Sequence, residues 1–84
     1  MKTIYTAVLI KKSGKLFTVS FLDKESAIAY CVAEAYYEQG FEPFDDPDWG
    51  DHVYFDLEQK GFYESNLGNK YYIEEAELYD KYDV

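Results

Sequence analysis

Arginine is absent from this 84-residue chain, and cysteine, histidine and tryptophan each occur once. All eight basic residues are lysine, so the bidentate clamp that ordinarily grips carboxylate or phosphate is missing. The single cysteine, Cys31, closes no internal disulfide, and the single histidine, His52, rules out a paired-histidine metal motif. Long apolar runs are also missing. None nears the roughly 18 residues of a membrane-spanning helix, and the short stretch Ala7–Ile10 runs into Lys11-Lys12, unlike a signal peptide. These absences point to a soluble, cytoplasmic protein that carries no cofactor.

What is present is acid. Seventeen carboxylates give a formal charge of −9, a field that repels DNA, RNA and anionic lipid. Direct nucleic-acid binding and membrane binding are therefore not expected. Hydrophobic residues at 48% and charged residues at 30% belong to a globular chain rather than a disordered one. The length suits a single domain, 1–84, that buries about 60% of its unfolded surface. Residues 1–33 hold five lysines and two acids, net +3, whereas residues 34–84 hold three lysines and fifteen acids, net −12.

The chain opens as a hairpin. Thr3–Lys12 and Lys15–Leu22 are rich in β-branched and aromatic residues and flank Ser13-Gly14 as a two-residue turn. That register places Ile10 opposite Phe17, Val8 opposite Val19 and Thr6 opposite Phe21, collecting Ile4, Thr6, Val8, Ile10, Phe17, Val19 and Phe21 on one face. Asp23 is set to cap a helix from about Lys24 to Gln39, with Gly40 as its left-handed stop. Ile28, Cys31, Val32 and Ala35 form its apolar stripe. Two prolines, a glycine and five acids predict a loop over residues 41–51. A second helix from about Gly50 to Lys60 follows, with a strand at Val53–Leu57 as the competing reading. Asn66-Leu67-Gly68-Asn69 reads as a turn, and Lys70–Tyr79 as an edge strand whose later part also suits a helix. The expected class is α+β in the order ββααβ: an N-terminal hairpin packed on one main helix, an acidic loop, a short helix and a C-terminal edge strand.

The inventory points away from catalysis. Cys31 lies within the apolar stripe and reads as core. His52 has no matched acid–base partner in the sequence. The loop Asp45-Asp46-Pro47-Asp48-Trp49-Gly50-Asp51 invites calcium, but an EF-hand begun at Asp46 would put Leu57 where the bidentate glutamate belongs. No phosphate-cradling glycine loop or nucleophile elbow occurs. Ten tyrosines and six phenylalanines exceed what a small core takes up, and tyrosine suits interfaces. The candidate partner-binding set is Asp45, Asp46, Asp48, Trp49, Asp51, Tyr54, Asp56 and Glu58, an acidic, ring-decorated surface for a basic target.

A short, arginine-free, tyrosine- and acid-rich chain with a ββα opening over Lys2–Gln39 resembles the small early proteins of tailed bacteriophages, several of which inhibit host defence or host enzymes. The resemblance implies a stoichiometric, non-enzymatic inhibitor that occludes a basic, nucleic-acid-binding surface of a host nuclease or defence complex by acidic mimicry. Two other readings stand beside it. One is a homo-oligomeric sponge for a nucleotide signal, using Trp49, Tyr36 or Tyr37 as stacking rings and Lys11, Lys12 and Lys15 at a subunit interface. The other is an accessory protein that forms a homodimer through the hairpin's opposite face, where Tyr5, Ala7, Leu9, Lys11, Leu16, Thr18, Ser20 and Leu22 mix apolar and polar side chains.

Overall fold

The computed structural model describes residues 2–40 and 47–78, and the side chains of Lys2 and Leu78 lie outside that description. Six elements follow in order: β1 (Lys2–Ile10), β2 (Leu16–Phe21), α1 (Lys24–Gln39), α2 (Pro47–Lys60), β3 (Phe62–Glu64) and β4 (Lys70–Leu78). The strands form one antiparallel sheet in the order β2-β1-β4-β3, and both helices pack on the same face. The α+β class and the run of hairpin, main helix, second helix and final strand agree with expectation. The last strand does not lie at an edge. It pairs with β1 along its whole length and also carries β3, a short strand that the sequence pattern did not single out.

The hairpin corrects the expected register. Gly14 N–H donates to Lys11 O and Lys11 N–H to Lys15 O, both at 2.8 Å, and Gly14 sits at φ +94°. This is a type I turn closed by a left-handed residue, a three-residue connection in place of a two-residue one. The partners become Leu9 with Phe17, Ala7 with Val19 and Tyr5 with Phe21. A slip of one residue turns a whole strand over. Ala7 and Leu9 therefore enter the core, while Ile4, Thr6, Val8 and Ile10 move to the opposite face. There Thr6 Oγ1 meets Ser20 Oγ at 3.0 Å, and the rings of Phe62 and Tyr72 pair at 5.0 Å.

Helix α1 begins and ends as its caps dictate. Asp23 accepts from Ser26 N at 2.8 Å and from Ser26 Oγ at 2.9 Å, and Gly40 at φ +78° donates to Tyr36 O and Tyr37 O. Its buried residues are Ala27, Ile28, Cys31, Ala35 and Tyr36. Val32, expected in the stripe, is half-buried, and Tyr36 is inside.

Helix α2 starts at Pro47, so the predicted loop gives way to helix over residues 47–51. Proline fits the first turn, where its missing N–H is not needed, and Asp48 beside it complements the helix dipole. The competing strand at Val53–Leu57 is not formed: Gly50, Val53 and Leu57 face the core from one side of a helix. Full burial of Leu9, Ile28, Val53 and Leu57 stabilises the fold by about 1.5–3 kcal/mol each.

At Gly50 the two helices meet closely. A Cβ there would lie 2.7–2.8 Å from ring carbons of Tyr36. Gly50→Ala gains up to about 1 kcal/mol in helix propensity but overpacks a closed contact, which costs about 1–3 kcal/mol. The expected outcome is a net loss, read as a lower urea midpoint at unchanged slope.

Candidate functional site

The expected binding residues fall on α2, with Asp45 and Asp46 outside the described residues. At 100° per residue, the helix does not present the others on one face. Asp51, Tyr54 and Glu58 share the flank that looks along α1. Asp48 is on the outer side and exposed. Asp56 lies on the opposite flank, partly buried, with His52 Nε2 at 3.5 Å and Lys60 Nζ at 3.7 Å. Trp49 turns inward. Its ring meets Tyr36 edge-on at 4.9 Å and Tyr63 at 6.4 Å, so it joins α2 to the core instead of decorating the surface.

Tertiary packing adds two acids that precede the acidic half of the chain. Asp23 and Glu25, at the start of α1, lie close enough to Tyr54 to act on its hydroxyl together with Glu58. Partial burial first, then Glu25, Glu58 and Asp23, hold that hydroxyl above the usual phenol range. Lys24 Nζ, the cation nearest in sequence, donates to the backbone carbonyl of Glu58 at 3.2 Å. Among the described residues, no lysine forms an ion pair with Asp23, Glu25, Asp51 or Glu58. Beside them a cleft of about 240 Å³ opens between the helices, walled by Val32, Tyr36, Pro47, Gly50 and Tyr54, with Asp51 on its rim.

The remaining acids are spread elsewhere. Glu74, Glu75 and Glu77 run along β4, where Glu75 and Glu77 pair with Tyr5 and Thr3 of the lysine-bearing N-terminal strand. The charge asymmetry along the chain is partly folded away where Lys11 pairs with Glu38.

Glu38 forms a second polar centre. Its Oε1 accepts from Lys11 Nζ, and its Oε2 accepts from the Tyr71 hydroxyl and from Asn69 Nδ2, the last at 2.7 Å. Asn69 Oδ1 in turn accepts from Lys12 N at 2.8 Å. Tyr71 is completely buried. Desolvation and the Glu38 carboxylate keep its hydroxyl protonated far above the normal range. Nothing local marked this network, since its members stand 27 to 57 residues apart. The fully buried Cys31 is pushed up to about 12 by desolvation first and Glu34 second, so it stays a neutral thiol.

Two of the rings suggested for stacking a nucleotide, Tyr36 and Trp49, pack on each other, and Lys11 is tied to Glu38; Tyr37 is exposed. No helix among the described residues is long and apolar enough to cross a membrane, and no group of three metal-ligating side chains forms among them.

No family model, curated protein or solved structure matches this chain.

Two outcomes follow from the buried groups. Glu38→Gln, which removes the charge that Lys11, Tyr71 and Asn69 converge on, lowers stability by about 1–3 kcal/mol in urea unfolding. Cys31 and Tyr71 have folded-state pKa values above their ordinary values of 9.0 and 10.0. The unfolded chain therefore releases these protons first, and stability is full below pH 9 and falls as pH rises from 9 towards 12. Unfolding midpoints measured across that window show this decline, and Cys31→Ala makes it shallower.

Proposed function

We propose that this chain is a non-enzymatic binding protein whose acidic surface along the α1–α2 cleft docks on a basic surface of another protein. The observation that carries the reading is the cluster of Asp23, Glu25, Asp51 and Glu58 around Tyr54, without a lysine ion pair among the described residues and next to an apolar cleft. Tyrosine supplies rigid contact area with a polar tip, and the carboxylates steer a cationic partner and set its orientation. A surface that competes with phosphates for lysine and arginine would block a nucleic-acid-binding host protein by occupancy alone. The resemblance to small phage early proteins gives the class of target, a host nuclease or defence complex. Cys31 held as a buried thiol, and His52 sharing Asp56 with Lys60, support binding in preference to catalysis.

The test uses a lysine- and arginine-rich peptide as probe and the backbone amides of the full chain as reporters. Shifts are expected to concentrate at Glu25, Asp51, Tyr54 and Glu58 and to fade with added salt. The combined change Glu25→Gln, Asp51→Asn and Glu58→Gln weakens binding roughly tenfold or more, at about 0.5 kcal/mol or more per neutralised contact. Asp23 is left unchanged because it caps α1. Shifts spread equally over Glu64, Glu74, Glu75 and Glu77 would show general charge attraction and remove this surface as the site.

A further inference from the structure

Helix α1 carries Tyr30, Glu34, Tyr37 and Glu38 at i, i+4, i+7 and i+8, a spacing that sets them in one stripe along the helix. Leu9 of β1, Lys11 just after it and Phe17 of β2 meet this stripe across a cavity of about 520 Å³. That volume falls within the roughly 300–1,000 Å³ of small-molecule sites. The cavity lies on the hairpin side of α1 and shares no residue with the α1–α2 cleft. Leu9 is buried and gives it an apolar floor, whereas Phe17 is 46% exposed and Tyr37 84%. Two carboxylates and one ammonium line it, so it repels an anion and its net charge of −1 favours a monocation.

The chain's own lysine shows how these walls treat a cation. Lys11 Nζ lies 6.0 Å from the centroid of the Phe17 ring and pairs with Glu38, so a ring and a carboxylate share one ammonium. Glu34 stands one helical turn before Glu38, with Tyr30 at i−4 and Tyr37 at i+3 beside it on the same wall. It forms no ion pair among the described residues. Glu34 and the two tyrosine rings thus repeat the pairing made at Lys11, with no lysine of the described chain to complete it. A primary ammonium would bring three N–H donors to satisfy, and Glu38 is already committed to Lys11, Tyr71 and Asn69. A methylated ammonium has no such donors and takes aromatic faces and apolar surface as its partners.

We propose that this cavity binds a small organic cation of the quaternary ammonium class. The methylated head rests on the rings of Tyr30, Tyr37 and Phe17, its charge is balanced by Glu34, and Leu9 meets its apolar surface. The site is independent of the docking surface proposed above, since it draws on other residues and on another flank of α1.

Backbone amide shifts of the full chain, titrated with choline at constant ionic strength, test this. Choline is expected to bind with a Kd of about 1 mM and to shift Leu9, Phe17, Tyr30, Glu34 and Tyr37. Dimethylbutanol, its neutral isostere with carbon in place of nitrogen, is expected to bind roughly tenfold more weakly or less. Glu34→Gln weakens choline binding roughly tenfold and leaves the isostere unaffected. Tyr37→Ala, at an exposed ring, weakens choline binding roughly threefold. Glu74→Gln removes the same charge from an exposed position on β4 and leaves choline binding unchanged. Equal affinity for choline and its isostere overturns cation recognition, as does a Glu34→Gln chain that binds choline as tightly as wild type. The site itself is overturned if no shift appears up to about 20 mM choline, or if shifts centre on Glu25, Asp51, Tyr54 and Glu58. The second of these results would put the cation in the α1–α2 cleft.

Discussion

Gly14, at φ +94°, closes a three-residue connection between β1 and β2, and the additional residue turns every side chain of β1 over. The rest of the packing depends on that register. With Ala7 and Leu9 facing inward, the sheet presents a small residue and a large one to α1, whose own buried face is largely small: Ala27, Cys31 and Ala35, with Ile28. Small residues on both sides bring helix and sheet close together, and a closely packed interior loses energy for each void. In the other register, β-branched Val8 and Ile10 would occupy this contact, and Ala7 would be wasted on the open face.

Glu38 connects elements that apolar packing alone leaves free to slide. It projects from the last turns of α1 and takes donors from the residue just after β1, from β4 and from the turn before β4. A partly buried carboxylate is tolerable only when its oxygens are satisfied, and here each oxygen has charged or polar donors. Tyr71 contributes its ring to the apolar core and its hydroxyl to this carboxylate, which is the usual division of labour for a buried tyrosine. The same arrangement keeps the phenol neutral and makes the fold sensitive to alkali.

Helix α1 packs on the β1–β2 side and α2 on the β3–β4 side. The cleft with Asp51 on its rim lies between the two helices. Lysines and carboxylates that are segregated along the chain are partly interleaved in space. The surviving acidic surface owes as much to Asp23 and Glu25, from the basic third of the sequence, as to Asp51 and Glu58.

What the sequence alone determined is whatever depends on neighbours a few residues away. The cap at Asp23, the stop at Gly40, the apolar stripe through Cys31 and the presence of two strands before the helix are local physics, and all are found. The start of α2 was misplaced because proline and clustered acids read as loop, although both suit a helix's first turn. Tertiary structure alone decided the hairpin register, since a two-residue and a three-residue turn both use Ser13-Gly14 and differ only in which face of β1 finds a core. It also decided that β4 enters the middle of the sheet, that Trp49 and Tyr71 turn inward, and that Glu38 gathers donors from across the fold. Those outcomes join residues far apart in the chain, and no local pattern encodes a partner that only folding brings near.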